Sequence, residues 1–458
     1  MVAAVPLDTR TRESLTGPLA HPPPSMMCGR LGVALVALVL YCGSPVAFVR
    51  AEQTPACLAA TAQGQVEGAY FQPYPTCVYK GIPFAQPPVG ALRFAPPKPA
   101  RPFAGASPFP AKAYGAGCMQ HCTLQQPSLS CPATTDEDCL FLNVFTPLTS
   151  AVSPAAKRPV LVWIHGGNFI IGAGGTDVYH GSIFANRSDV VIVTINYRLG
   201  LFGGLFTTGA AVAGNFQLQD QQEALRWVSA NIAAFGGDPA LVTIMGQSAG
   251  GFSVAAHLSS PDSWPLFQRA IVESDPLALP TESETDAAIL GDLIVSTLGC
   301  PPSPTTYSPD AAAAQLACLR NVSQEQLLAV QQATPFPKEP KLILHKFMPW
   351  TPVVRPNSTI LPLSVKQAAL TGQHAKVLAR TGALAPPGIW RPYFVLFGFL
   401  LTSACRKPNT RCPHVCIYCG AIAALLRPFS GTQCAHLRTR NLSAYAHMHE
   451  HSRTRTCV

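Results

Sequence analysis

The chain has 458 residues, 48% of them hydrophobic and only 12% charged, against about a quarter charged in an ordinary globular chain. That length and apolar content can bury a sizeable core, which excludes wholesale disorder and a disulfide-only miniprotein. The net charge of +9 suggests nucleic acid until it is mapped: residues 379–458 hold ten basic side chains and one acid, Glu450, whereas residues 1–378 hold 22 of each. A phosphate-binding footprint needs a basic cluster on a folded face. The body of the chain has none, so no nucleic-acid partner is expected.

Residues 1–25 are proline-rich and polar and read as a spurious N-terminal extension from an upstream start codon. Residues 26–51 read as a signal peptide: Arg30, an apolar run from Leu31 to Leu40, and the small-residue exit Val49-Arg50-Ala51. Interrupted by Pro45, the run is marginal for a bilayer crossing, so no stable membrane span is expected, with a signal anchor as the alternative. Secretion fits the cysteines. Cys28 and Cys42 lie in the signal and six more lie after residue 400, leaving eight in the body: Cys57, Cys77, Cys118, Cys122, Cys131, Cys139, Cys300 and Cys318. An even number behind a signal peptide implies disulfides. Asn186, Asn321, Asn357 and Asn441 begin glycan-acceptor tripeptides, a weak signal singly.

Three short apolar runs follow in the body: Pro159–Ile164, which leads into His165-Gly166-Gly167, then Val190–Asn196, and Leu241–Met245, which stops at a glycine. Near-continuous apolar runs are what strands buried on both faces require. Between the second and third, Asp220 to Phe235 places Ala224, Leu225, Val228, Ile232 and Phe235 on one helical face, and Gly236-Gly237 ends it. Strand, helix, strand with buried strands predicts an α/β fold with a mostly parallel central sheet and crossover helices.

Gly246-Gln247-Ser248-Ala249-Gly250-Gly251 follows the third strand directly. A G-x-S-x-G turn between strand and helix holds its serine in a strained conformation with the hydroxyl projecting from the sheet, and the glycines are needed because any side chain would collide with the neighbouring elements. This makes Ser248 the candidate nucleophile. The helix begun by Ala249 aims its free N–H groups where negative charge develops. The glycine pair after His165 lets backbone N–H groups face the same oxyanion, so Gly166, Gly167 and Ala249 are the candidate oxyanion donors. His165 itself reads as structural, because it sits in the oxyanion loop.

These stretches, with Gly81–Phe94 (GIPFAQPPVGALRF), Glu137–Phe145 (EDCLFLNVF), Asn196–Gly200 (NYRLG), Gly214–Trp227 (GNFQLQDQQEALRW) and Phe235–Gly251 (FGGDPALVTIMGQSAGG), resemble the type-B carboxylesterase family, in family order over roughly residues 60–377. The resemblance implies an α/β-hydrolase fold and an ester-hydrolysing role for Ser248, with the Arg93–Glu137 and Arg198–Asp220 pairs as scaffold. It also implies the disulfides Cys118–Cys139 and Cys300–Cys318, which leaves Cys57–Cys77 and Cys122–Cys131 as the remaining pairings. No cofactor and no metal are implied.

The pattern then breaks. A hydrolase of this order needs an acid and a histidine downstream of the serine, the histidine to move its proton and the acid to orient the histidine. No Asp or Glu occurs between Glu339 and Glu450, and His414, His436, His447, His449 and His451 have no family motif around them. The triad acid and triad histidine are therefore unassigned. Residues 52–378 are expected to form an incomplete carboxylesterase domain lacking its C-terminal third. Residues 379–458 read as a disordered, basic, Cys/His-rich tail of translated intron or another frame. Cys412, His414, Cys416 and Cys419 lack a paired knuckle, so zinc binding is not expected there.

The expected function is a secreted carboxylic ester hydrolase acting through an acyl-serine intermediate on a small ester or lipid, impaired by the missing triad members. The alternative is an inactive binding or adhesion protein on the same scaffold, or a non-functional truncated product. The loop from Cys118 to Cys139 contains no Trp, Tyr or Phe between its cysteines, and Gln247 stands where the family commonly has Glu; both weigh against choline esters.

Overall fold

A computed structural model describes residues 56–105, 107–122, 131–148, 157–275, 281–303, 308–333 and 348–382. The expected extension and signal peptide, and residues 383–458 of the expected tail, lie outside the described residues; residues 379–382, expected at the start of that tail, instead belong to the strand Leu378–Gly382. Eight strands build the main sheet: β1 (Ala69–Phe71), β2 (Thr76–Pro83), β3 (Phe141–Pro147), β4 (Arg158–Ile164), β5 (Val191–Ile195), β6 (Gly237–Gln247), β7 (Arg269–Glu273) and β8 (Leu378–Gly382). Their order across the sheet is β8-β7-β6-β4-β5-β3-β2-β1. The five strands from β8 to β5 run parallel and the other three are antiparallel, so the expected mostly parallel sheet is present with an antiparallel end.

The three expected strands are β4, β5 and β6, and β6 is longer than its apolar run because Gly237–Ala240 extend it toward Arg158. Alternate residues sort to two cores. Val160, Val162, Ile164, Val193, Ile195 and Ile244 join the larger one, whereas Leu161, Ile192, Met245 and Ile271 join the smaller one on the other face. Each such side chain contributes roughly 1.5–3 kcal/mol when fully buried, so both faces of the central strands hold the register.

Helices connect the parallel strands: α1 (Ser182–Ser188) from β4 to β5, α2 (Phe216–Asn231) from β5 to β6, and α3 (Ala249–Leu258) from β6 to β7. The helix expected from Asp220 begins four residues earlier, because Asn215 takes the left-handed conformation (φ 55°, ψ 20°) and starts the turn. The last residues expected in it, Ile232–Phe235, tighten into a 3₁₀ turn ended by Gly236 at φ 77°. Nor is α2 apolar on a single face only: Gln217, Asp220, Gln221, Gln222 and Asn231 are buried as well, each with a hydrogen-bond partner.

The two anticipated ion pairs are present. Arg93 grips Glu137 and also donates to the carbonyls of Arg320 and Val322, tying the N-terminal segment to a helix end. Arg198 meets buried Asp220 at 2.7 Å, with a second bond at 2.8 Å, a two-pronged geometry suited to guanidinium and carboxylate. Burial pulls the Asp220 carboxyl upward and Arg198 opposes that pull. Four disulfides close in the pairings Cys57–Cys77, Cys118–Cys139, Cys122–Cys131 and Cys300–Cys318. Among the described residues no helix is long and apolar enough to cross a membrane.

Candidate active site

The parallel strands deliver their C-terminal ends to one edge of the sheet, where open α/β sheets place their ligands. At that edge β6 turns sharply into α3, and the turn residue is Ser248, at φ 57° and ψ −119°. A non-glycine residue there is strained by about 1–3 kcal/mol and persists only when its surroundings enforce it. They do. The Ser248 N–H donates to the Glu273 carbonyl at 3.0 Å, and the Ser248 carbonyl accepts from the Phe252 N–H at 2.8 Å.

The flanking glycines have no room for anything larger. A Cβ on Gly250 would lie 2.0 Å from the Ile164 carbonyl oxygen, one on Gly246 would lie 2.4 Å from the Gly250 carbonyl, and one on Gly251 would lie 2.7 Å from the Glu273 carbonyl. Strand β4, strand β7 and helix α3 therefore meet at backbone distance around the turn. Ser248 itself is neither buried nor fully exposed, so its hydroxyl is reachable.

Gly166 is brought against this turn from the end of β4. A Cβ there would stand 3.3 Å from the Ser248 Cβ and 2.7 Å from the Gln247 carbonyl. Gly167 follows at φ 113°, a conformation that side chains rarely tolerate. Its carbonyl accepts from Ile170 and Ile171, closing the loop into a tight turn. The opening N–H groups of α3 lack intrahelical partners, and Gly166 packs against the Ser248 side chain from the end of β4.

His165 is where the sequence suggested, in the scaffold. It is fully buried, stacks on Tyr197 at 4.3 Å, and donates from Nδ1 to the Gly166 carbonyl at 2.8 Å. Burial pushes its pKa down to about 4, so the ring is neutral and its Nε2 is sealed without a partner. The Tyr197 hydroxyl donates to the His165 carbonyl at 2.7 Å and fixes the loop from behind.

A second buried histidine escaped the sequence reading. His257, on α3, accepts from the Ser263 hydroxyl at Nδ1 and donates from Nε2 to Gln221 Oε1, both at 2.8 Å. Gln221 passes the chain on to Ser253 at 3.1 Å, and Ser253 donates to the Ala249 carbonyl at 3.0 Å. Burial holds His257 neutral, with its pKa down to about 3. The network therefore stiffens the first turn of α3, which begins at Ala249. Its only sequence trace is a histidine inside an otherwise apolar helix.

Asp275 also went unnoticed. It lies two residues beyond the end of β7, next to Ser274, which has a left-handed φ of 48°. Its Cα would be 3.5 Å from a Cβ on Gly251, one helical turn past Ser248. Both carboxylate oxygens are buried and neither has a hydrogen-bond partner. Burial alone lifts this carboxyl to about 7.

The triad acid and histidine that sequence left unassigned are not resolved by contact with the serine: among the described residues the Ser248 hydroxyl has no hydrogen bond. No cluster of three or more metal-ligating side chains occurs among the described residues.

Comparison with known proteins decides the family. The model of the carboxylesterase family matches residues 56–382. The chain belongs to the carboxylesterase family. The sheet and its crossover helices are accordingly the α/β-hydrolase fold. Among similar proteins, a pyrethroid hydrolase, Ces2e, of Rattus norvegicus is 37% identical over 303 residues, which is 64% of this chain and 50% of that protein. The crystal protein of Dictyostelium discoideum is 42% identical over 277 residues, 60% of this chain and 47% of that one. The para-nitrobenzyl esterase of Bacillus subtilis is 46% identical over 217 residues, 46% and 43% of the respective chains. The chain thus spans about half the length of the curated relatives it matches.

Proposed function

We propose that this carboxylesterase-family chain carries the nucleophile and oxyanion half of a carboxylic ester hydrolase, acting on small esters through an acyl-serine intermediate. The observation that carries the reading is the strained Ser248 turn, held by Glu273 and Phe252 and packed against Gly166. In the reaction, Ser248 Oγ attacks the ester carbonyl carbon and loses its proton to a base. The carbonyl electron pair moves to oxygen, where Gly166, Gly167 and Ala249 donate N–H bonds. The alcohol then leaves with a proton and water hydrolyses the acyl-serine. Preorganised donors of this kind supply about 3–4 kcal/mol each of transition-state stabilisation.

Turnover by the chain as written is slow in this reading, because no acid lies between Glu339 and Glu450 and no base reaches Ser248 among the described residues. Loss of a triad member leaves the oxyanion hole and binding, about 10³–10⁴-fold over water. Four disulfides fit folding in an oxidising compartment, and with the expected signal peptide they support a secreted protein. Asn321 and Asn357 are exposed glycan acceptors, whereas the Asn186 amide is engaged with the Pro75 carbonyl.

The unpartnered Ser248 hydroxyl favours one rival, an inactive binding scaffold. A fluorophosphonate probe separates the two. Covalent labelling of the native chain that disappears in Ser248→Ala supports the esterase reading. Absence of labelling in a sample with an intact melting transition favours the scaffold. Fast turnover of p-nitrophenyl acetate, lost in Ser248→Ala, would overturn the impairment.

A further inference from the structure

Gln120 lies two residues beyond Cys118, inside the loop closed by the Cys118–Cys139 bridge, and is buried. Its amide is spent on backbone. Nε2 donates to the Gly172 carbonyl at 2.8 Å and to the Cys118 carbonyl at 3.0 Å, and Oε1 accepts from the Gly172 N–H at 2.8 Å. Only this orientation of the amide works, because the reverse would set donor against donor and acceptor against acceptor. The side chain thus grips both polar groups of a residue 52 positions away, as a neighbouring strand would.

Gly172 is the far end of the loop that opens with Gly166. Three of the seven residues from Gly166 to Gly172 are glycines, so the shape of this loop has to be imposed by contacts. Gly172 sits at φ 109°, and a Cβ there would stand 2.5 Å from His165 Nδ1 and 2.7 Å from the Gly166 carbonyl oxygen. It therefore presses on the hydrogen bond that His165 Nδ1 donates to the Gly166 carbonyl. That carbonyl and the Gly167 N–H belong to one planar trans peptide and point in opposite directions. Fixing the carbonyl fixes the N–H. The same peptide starts beside the nucleophile, since a Cβ on Gly166 would stand 3.3 Å from the Ser248 Cβ. Among the described residues neither the Gly166 nor the Gly167 N–H meets an acceptor.

We propose that Gln120 is a positioning residue for ester hydrolysis: by gripping Gly172 it locks the Gly166–Gly167 peptide and holds the Gly167 N–H toward the developing oxyanion. This rests on the reading of Ser248 as nucleophile and Gly167 as oxyanion donor. As Ser248 Oγ bonds to the carbonyl carbon, the π pair moves to oxygen and the Gly167 N–H bond to that oxygen strengthens. Gln120 touches no reacting atom. Its influence falls on the charged adduct, because a neutral ground-state carbonyl gains far less from an aligned donor. Loss of the grip should slow the chemistry and leave capture of the substrate unchanged.

Fluorophosphonate labelling of the full chain reads this, with the maximal labelling rate separated from the half-saturating probe concentration. Oγ bonds to phosphorus, fluoride leaves, the serine proton goes to buffer, and the phosphoryl oxygen takes the place of the oxyanion. Gln120→Met keeps length and bulk without the three hydrogen bonds. Its maximal rate is expected to fall about tenfold or more, short of the roughly 10²–10³-fold lost with a whole oxyanion donor. The half-saturating concentration is expected to stay at the native value. Gln120→Glu supplies a second measurement. Protonated, its carboxyl offers Gly172 one O–H and one oxygen and recovers the grip; ionised, it faces the Gly172 and Cys118 carbonyls and loses it. Its rate relative to the native chain at the same pH should be close to native in acid and fall as pH rises from about 5 to 8. A side chain that only stabilises the fold would give no such profile.

A folded Gln120→Met chain with the native maximal rate overturns the proposal, as does a loss confined to the half-saturating concentration. If the Met chain does not fold, a Glu-to-native ratio that is flat with pH overturns it instead. In these cases native Ser248 still labels, so the esterase reading survives. A native serine that never labels overturns both.

Discussion

The two loops that flank Ser248 are held in opposite ways. On the β4 side, Gly166, Gly246 and Gly250 are fixed by contact: backbone meets backbone at distances that exclude a single added carbon. On the β7 side, Asp275 carries two buried oxygens that nothing answers. The first corner is determined by steric exclusion, and its cost is met locally by hydrogen bonds such as that from Ser248 to Glu273. The second stores an uncompensated polar group beside the first. Tight packing gives the serine its geometry, whereas burial without a partner leaves the Asp275 carboxyl with a raised pKa.

The contrast can be broken most forcefully at Gly250. Gly250→Ala places a methyl 2.0 Å from the Ile164 carbonyl, with backbone on both sides and no flexible side chain to move away. Overpacking of this severity is expected to cost about 3 kcal/mol or more, enough to lower the urea midpoint sharply and abolish Ser248 labelling together. A Gly250→Ala chain with the native midpoint would mean that the three elements do not meet as closely as described.

The steric corner was the legible one. A strand of β-branched residues, a glycine-serine-glycine turn and a helix pattern each depend on nearest neighbours, so Val190–Asn196 and Gly246–Gly251 disclosed their local structure directly. The family resemblance supplied the ion pairs and the disulfides Cys118–Cys139 and Cys300–Cys318, which local pattern does not contain, and the other two bridges followed as the pairings left over. What stayed hidden depends on distant residues. Gln221 lies 36 residues from His257, and only the packing of α2 on α3 turns them into partners. The early start of α2 needed Asn215 in a left-handed conformation, which its side chain permits but does not demand. Asp275 is one of many acids by sequence, and only the closeness of Gly251 marks it out.

Acid titration sharpens the comparison from the buried histidines. His165 and His257 are neutral in the fold, with pKa values lowered to about 4 and about 3. Unfolded, each binds a proton near pH 6.5, so between that pH and the folded values the unfolded state holds more protons. The stability these rings contribute is complete above about pH 6.5 and is lost as pH falls toward 4, by about 1.4 kcal/mol per pH unit for each ring. In His257→Gln, the slope of unfolding free energy against pH over that window should drop by one ring's share. An unchanged slope would show that His257 is not neutral in the fold or not sealed from water.

Asp275 titrates with the opposite sign, which makes it the finest discriminator between the two corners. Its carboxyl is raised to about 7 in the fold and ionises near 3.8 once unfolded. Between those values the folded state holds the extra proton. Stability is therefore fully present below about pH 3.8 and falls as pH rises through 7. Asp275→Asn removes the titration while keeping the shape, and should raise stability at pH 8 by on the order of 2 kcal/mol after allowance for solvent screening. At pH 4 the same substitution should be close to neutral. A stabilisation confined to alkaline pH identifies a carboxyl whose ionisation opposes the fold. Destabilisation at every pH would instead make Asp275 part of the packing and remove the difference between the corners.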